Sequence, residues 1–363
     1  MNDKIKNLVN TLLFSALLLG VLVVNILSPD KELSFSERRK LRQFPVLSWA
    51  NVVNTKAMED FDKYVLDQFV GRDDFRKLKS ITEFSLLLKK DNNDLFVKDG
   101  YIFKNLYPLN CEAVEYAASR FNYLYDKYLQ GKKVYFSVIP DKNYYLDESL
   151  GYLRFDYDGL VDIMKTKLER MQYIAIFDTL QLEGFYRTDI HWRQELLGET
   201  VKKLADSMDF KVGGDYQLQV FYDFKGAYHG QLALRHSPEK LIFLTSELLD
   251  NLQVHDFETS SYAPIYDMSK SNNLDLYDIF LSGPKAILII ENPEATSEKE
   301  LIVFRDSFGS SIIPLMLSDY KKVTIIDIRY VSCDFLAQAV DFSADDVLFL
   351  YSVNILNSGT VLR

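Results

Sequence analysis

Charged positions stop at Lys6, and from Asn7 to Pro29 the run NLVNTLLFSALLLGVLVVNILSP carries none. About 20 helical residues at about 1.5 Å each suffice to cross a bilayer's hydrocarbon core, so residues 1–29 predict a membrane-anchoring helix. A cleaved signal peptide is the competing reading, although no small-x-small site precedes the polar PDKE and the apolar run is long for a signal core. Next comes FSERRKLRQFPVLSWANVV, in which Pro45 ends any helix. In TKAMEDFDKYVLDQFVGRDDFRKLKSITEFSLLL, Met58, Phe61, Tyr64, Val65 and Phe69, then Phe75 and Leu78, recur at three- and four-residue steps. That spacing predicts an amphipathic helical pair broken near Gly71, and residues 30–93 read as a helical connector between membrane and body.

A third region, 94–363, opens with DLFVKDGYIFKN, two short apolar runs around Asp99-Gly100 that predict a β-hairpin. From there the pattern alternates. Helical EAVEYAASRFNYLYDKYL leads to apolar KVYFSVIP, and a further helix-like stretch leads to YIAIFD. RQELLGETVKKLADSM is helical again, and KAILIIE, LIVFRDSF, KVTIIDIRY and DVLFLYSVN read as strands. Short β-branched runs separated by helix-length segments predict an α/β domain with a mostly parallel sheet covered on both faces. Ligands in such sheets bind beyond the carboxyl ends of the strands, which selects the residues worth weighing.

Composition narrows the classes. The chain of 363 residues is 48% apolar and 26% charged, an ordinary globular balance. Its net charge is −10, and no Lys/Arg run interleaved with aromatics lies in a folded-looking segment, so no nucleic-acid footprint is visible. The two cysteines, Cys111 and Cys333, have no zinc-ligand spacing, and a single bridge between them is left open. Aromatics stand near the candidate motifs, which suits a sugar-stacking surface as well as a core. Lys4 and Lys6 precede the apolar run while Lys31, Arg38, Arg39, Lys40 and Arg42 follow it. Positive-inside counting would keep the large domain cytoplasmic, yet long domains translocate largely regardless of charge.

Several polar groups lie at predicted strand ends. VYFSVIP runs into Asp141-Lys142-Asn143, LIVFR into Asp306-Ser307-Phe308-Gly309, and VLFLYSV into Asn354; Asp189 and His191 follow YIAIFD. Ser307, between a strand and the helix-like SSIIPLML, would sit at a helix's first turn, where backbone N–H groups can stabilise an oxyanion. A plain N-cap at Asp306 or Ser307 fits the same pattern. The G-x-S-x-G elbow of α/β-hydrolases is absent. A serine needs a base, and the base works best with a carboxylate behind it; Asp189 and His191 supply both types. A structural Asp–His pair or half of a metal site would look alike. His229 and His236, seven apart, match no common zinc spacing, and neither a catalytic metal nor another cofactor is expected.

Taken together, Asp189-Ile190-His191-Trp192, FRDSFGSSIIPLM at 304–316 and IIDIRY at 325–330 resemble the DHHW family of bacterial envelope proteins. They are more distantly similar to the SGNH hydrolase-like alginate O-acetylation enzymes. FSERRKLRQFP and the DGYIF hairpin extend the likeness over nearly all of the chain beyond the apolar run. The resemblance implies a flavodoxin-like three-layer α/β/α domain with a triad of Ser307, His191 and Asp189, in the permuted order in which the serine comes last. Asn354 falls where an oxyanion Asn would fall, without the G-x-N-D pattern around it. Ile190 replaces the family's first histidine, and Arg305 replaces the glycine of the G-D-S signature.

The function this implies is acyl transfer to a sugar hydroxyl of an exopolysaccharide or wall polymer, with a domain held outside the cytoplasmic membrane by its N-terminal helix. A separate multi-span membrane acyltransferase would supply acetyl. Trp192, Lys142, Arg305 and Tyr145 with its neighbour Tyr144 are the expected polymer contacts, against simple packing or solvated roles. With the sequence ending at Arg363, no separate carbohydrate-binding module is expected. An esterase with the same residues, or a non-catalytic binding or assembly protein, are the rivals.

Overall fold

A computed structural model of the chain describes residues 3–46, 48, 55–147 and 151–363, with the backbone alone at Thr360. Met1, Asn2 and most of the irregular stretch expected after Pro45 lie outside the described residues. The chain divides into two compact units, Met1–Asn92 with Gly230–Arg235, and Asn93–His229 with His236–Arg363.

In the first unit α1, Asp3–Leu27, is long and apolar enough to span a membrane, and none of its residues is buried. A small antiparallel pair, β1 (Leu33–Ser34) and β2 (Arg39–Lys40), follows. Then come α2, Lys56–Gln68, and α3, Arg72–Ile81, with the expected break at Gly71. Polar contacts hold these pieces. Asp67 accepts from Arg39 Nη1 and Nη2 (2.8 and 2.5 Å) and from Arg42 N–H (2.9 Å). Glu37 pairs with Arg72 at 2.5 Å, and Arg76 Nη2 donates to the Gly230 carbonyl (2.8 Å). The apolar recurrence that predicted α2 and α3 is not spent on a core: Met58, Phe75 and Leu78 are 65%, 58% and 58% exposed.

The second unit opens with the predicted hairpin, β3 (Leu95–Lys98) and β4 (Tyr101–Lys104). Asp99 and Gly100 both have positive φ (48° and 79°), the conformation a tight two-residue turn requires. Helix α4, Cys111–Leu124, is capped by Asn110, whose side chain accepts from Ala113 N–H. Strand β5 (Lys133–Ile139), helix α5 (Tyr157–Lys167), the two-residue strand β6 (Gln172–Tyr173) and helix α6 (Gly198–Met208) come next. An antiparallel pair apart from the main sheet, β7 (Gln217–Phe224) and β8 (Glu239–Thr245), had no sequence expectation. The remaining strands are β9 (Gln253–Asp256), β10 (Ser261–Pro264), β11 (Ile287–Glu291), β12 (Glu300–Arg305), β13 (Lys322–Ile326) and β14 (Asp346–Ser352).

Eight strands form the main sheet in the order β10-β9-β11-β13-β12-β14-β5-β6. The pairs from β13 to β6 are parallel, whereas β10, β9 and β11 join antiparallel. The all-strand reading of YIAIFD also gives way: Ile174 N–H still bonds the Phe136 carbonyl, and the backbone then leaves the ladder. Its apolar pattern reflects burial instead, since Ile174 and Ile176 lie in the core. Alternation along the central strands builds a core on each face. Leu301, Val303, Leu348 and Leu350 pack with Val201 and Leu204 of α6, while Ile302, Phe304, Val347 and Phe349 pack with Val114 and Phe121 of α4 and Leu160 of α5. Cys111 is exposed and Cys333 buried, and both are free thiols, so the bridge left open by the sequence is absent.

The Arg39–Asp67 pair gives the first unit an acid limit. Hydrogen bonding by the Arg39 guanidinium, outweighing partial burial, holds the Asp67 carboxyl down at about 2. A carboxyl whose folded value is depressed contributes stability above its unfolded value and loses it as pH falls through the folded one. Asp67→Asn is therefore expected to lower the unfolding midpoint of the detergent-solubilised chain at neutral pH. The gap from wild type should close between about pH 4 and about pH 2; an equal gap at every pH would contradict this.

Candidate active site

Asp189 and His191 sit in a loop closed on itself. Phe185 and Trp192 form an antiparallel bridge, Tyr186 N–H donates to the His191 carbonyl (3.1 Å), and Arg193 N–H donates to the Gly184 carbonyl (2.7 Å). At its tip the Asp189 carboxylate accepts from His191 N–H (3.1 Å) through Oδ1 and from Ala227 N–H (2.7 Å) through Oδ2. The second bond needs Gly226, because a Cβ there would stand 2.2 Å from the Thr188 carbonyl oxygen and 2.4 Å from Asp189 Cβ. Glu239 steadies the same loop, accepting from Arg187 N–H (2.8 Å), Thr188 N–H (2.7 Å) and the Thr188 hydroxyl (2.6 Å).

Ser307 is mounted on the turn that leaves β12. The buried Asp306 carboxylate accepts from Phe308 N–H (3.0 Å) and from Ser352 N–H (2.8 Å), fastening that turn to the end of β14. The expected helix is only Gly309–Ile312 before a 3₁₀ turn takes over. Gly309 is required for close approach: a Cβ would meet the Arg305 side chain at 2.7 Å.

The two mounts meet. His191 Nδ1 lies 2.6 Å from Asp189 Oδ1, and His191 Nε2 lies 2.8 Å from Ser307 Oγ. An ionised carboxylate only accepts, so Nδ1 carries the proton and Nε2 presents its lone pair to the serine hydroxyl. Asp189 is fully buried, His191 is 6% exposed and Ser307 is half-buried. Tyr277, which nothing in the sequence singled out, stacks on the imidazole with centroids 3.8 Å apart and planes 7° from parallel. Its hydroxyl donates to Ser311 Oγ (2.7 Å), which also accepts from Trp192 Nε1 (2.9 Å). Burial raises the Tyr277 phenol well above its ordinary value, so it stays neutral.

The other expected site residues divide. Asn354 follows β14 at the same edge, two residues beyond the Ser352 amide that Asp306 holds, and its Nδ2 is buried without a hydrogen-bond partner. Phe308 N–H, in the turn where the sequence predicted backbone donors for an oxyanion, is committed to Asp306. Trp192 is wholly buried, its indole N–H donating to the Phe308 carbonyl and Ser311, so the ring packs instead of facing a ligand. Tyr145 donates to the Phe177 carbonyl (2.9 Å) and packs with Tyr144 and Phe185. Arg305 is also buried, 3.7 Å from Asp327, with Nε and Nη2 unpaired; it is not a surface contact for a polymer.

Lys142 departs most from expectation. It is 2% exposed, and its ammonium donates to the carbonyls of Tyr186 (2.8 Å), Arg187 (3.2 Å) and Asp189 (2.7 Å). Burial pulls it down to about 7 against the attraction of Asp189, Glu239 and Asp141. Three carbonyls nevertheless need three N–H donors, and only the charged amine supplies them, so the loop holds the ammonium. Asp141 beside it is pushed up to about 7 by burial, opposed by the hydrogen bond from Tyr157. His229 and His236 lie with ring centroids 6.4 Å apart, and among the described residues no group of three or more His, Cys, Asp or Glu side chains is placed to share a metal ion.

No curated protein matches the chain. A DHHW family protein from Eubacterium siraeum is similar in structure, at 18% identity and a TM-score of 0.60, over 75% of this chain and 94% of that one. Bacillus cereus PatB1 with a sulfonyl adduct is similar at 17% identity and a TM-score of 0.58, over 74% and 97%. At such identities the likeness establishes the fold. The model of the family described as DHHW protein matches residues 184–326, a span that contains Asp189, His191 and Ser307. The resemblance carried by Asp189-Ile190-His191-Trp192 and the 304–316 run is therefore to the DHHW family, whose model the chain matches from Gly184 to Ile326.

Proposed function

We propose that the chain is a membrane-anchored, extracytoplasmic O-acetyltransferase with an SGNH-like three-layer α/β/α domain at 94–363. It would transfer acetyl groups to a sugar hydroxyl of an exopolysaccharide or cell-envelope polymer. The observation that carries the reading is the continuous path Asp189–His191–Ser307, with contacts of 2.6 and 2.8 Å. Ser307 Oγ attacks the carbonyl carbon of the acetyl donor as its proton passes to His191 Nε2, and Asp189 stabilises the imidazolium. Asn354 Nδ2, buried and unpaired, with a backbone N–H of the serine turn, stabilises the negative oxygen of the tetrahedral intermediate. When the intermediate collapses, the leaving group takes the proton from His191 and the acetyl remains esterified to Ser307. A sugar hydroxyl then gives its proton to His191 and attacks the acetyl carbon; Ser307 Oγ leaves and recovers that proton.

Water in the acceptor's place would make the same residues an esterase. The cover of Tyr277 over an imidazole that is 6% exposed favours transfer, because it limits bulk water at the base. The donor's acetyl group would come from a separate multi-span membrane acyltransferase. α1 supports the anchor, being long and apolar enough to cross a bilayer.

Three outcomes follow. A fluorophosphonate probe should label Ser307, as read by mass spectrometry, and labelling should vanish in His191→Ala; a folded protein that resists the probe would favour the binding-module reading. Cells carrying Ser307→Ala should show less polymer-linked acetate than wild type, whereas more acetate would identify an esterase. Lys142→Met removes the ammonium that holds three carbonyls of the Asp189 loop, and a displacement near 1 Å there should lower kcat by about 100-fold. KM should change little, because Lys142 touches no substrate. Wild-type turnover in the folded variant would show that the loop keeps its place unaided.

A further inference from the structure

The corner between α2 and α3 presents Phe61, Val65, Leu66, Val70, Phe75 and Leu78 to solvent, at 40%, 42%, 69%, 40%, 58% and 58% exposure. Apolar clusters of that size on a soluble surface mark a contact. Phe61 and Val65 of α2 and Phe75 and Leu78 of α3 belong to the recurrence that predicted the two helices, so that spacing is used outward. What lies opposite is indicated by the end of α1. Val70 N–H donates to Asn25 Oδ1 (2.9 Å), within the last turn of that helix. Lys31 N–H donates to Gln68 Oε1 (2.8 Å), Gln68 Nε2 returns a bond to the Lys31 carbonyl (2.9 Å), and Tyr64 donates to Asp30 (2.9 Å).

The 25 residues of α1 extend about 37 Å at about 1.5 Å per residue, somewhat more than a hydrocarbon core of about 30 Å. When α1 spans, its last turn lies where acyl chains give way to headgroups. The α2–α3 corner, bonded to that turn, lies at the same level. We infer that the apolar side of the α2–α3 corner rests in the surface of the bilayer that α1 crosses, as an interfacial collar around the anchor. Tethering makes this contact intramolecular in effect: the face is held within reach of lipid, whereas a protein occupant would have to arrive from solution.

The inference rests on α1 being a membrane span, and the experiment separates the two. In the chain with Cys111→Ser, which keeps only the buried Cys333, one cysteine replaces Leu17, Leu66 or Leu78. An environment-sensitive fluorophore is attached to each, and the protein is reconstituted in phosphatidylcholine and phosphatidylglycerol vesicles whose lipids are brominated either near the carbonyl or near the methyl end. Leu17 probes the middle of α1, and the same labels in unbrominated vesicles serve as the reference. Labels at 66 and 78 should lose emission chiefly to lipids brominated near the carbonyl, and the label at 17 to lipids brominated near the methyl end. Emission at 66 and 78 unchanged from the unbrominated vesicles, with 17 quenched, would overturn the collar and leave the face to a protein partner or a second copy. An unquenched label at 17 would remove the anchor and the collar together.

Discussion

A proton can pass between His191 and Ser307 only if two segments far apart in the chain are held to within a few tenths of an ångström, and buried charges do the holding. Asp306 binds the serine turn to β14 through two backbone amides, and Asp189 is fixed by two amides and the imidazole. Lys142 gathers three carbonyls of the opposite loop. Each charge would be costly in the interior alone. Backbone amides, backbone carbonyls and the imidazole supply partners, which offsets the cost and makes the geometry stiff.

The sheet explains why these mounts meet. β12, β14 and β5 are adjacent and parallel, so the turns after Arg305, Ser352 and Ile139 emerge at one edge. Alternating residues of those strands carry both cores, so a slip of one residue would turn every apolar side chain to the wrong face. The register that places Arg305 beside Leu350 also places Asp306 within reach of Ser352 N–H. Packing and the geometry of the candidate site thus use the same alignment.

This division decides what was legible in the sequence. The hairpin at Asp99-Gly100, the broken helical pair and the central strands were readable because their signals are local: a turn dipeptide, a 3.6-residue recurrence, β-branched runs. Asp189, His191 and Ser307 could be singled out because few residue types can do their chemistry. Lys142 and Arg305 were read outward as ligand contacts and lie inward, and Trp192 takes the packing role that the sequence left open beside a ligand contact, since the burial of a long or amphipathic side chain depends on carbonyls and carboxylates contributed by distant segments. Tyr277 had no signal, for one tyrosine among 23 carries no mark of the ring it will stack upon. The antiparallel attachment of β11, β9 and β10 was hidden for a related reason, since an apolar strand looks the same whichever way its neighbour runs.

The two units solve the problem of burial in opposite senses. In the second, apolar side chains fill the interior on both faces of the sheet, and Asp306, Ser307 and Lys142 follow the carboxyl ends of β12 and β5. In the first, the groups drawn together are ionic, Arg39 and Arg72 with Glu37 and Asp67, while Leu66, Phe75 and Leu78 point away. A unit built for water gains most of its stability by removing apolar surface from solvent, and this one leaves much of that surface uncovered. Close ion pairs on one side and apolar side chains on the other make a segment stable where its surroundings change from polar to apolar over a few ångströms. The end of a membrane-spanning helix would be such a place, and α1, long and apolar enough to span, precedes these segments in the chain.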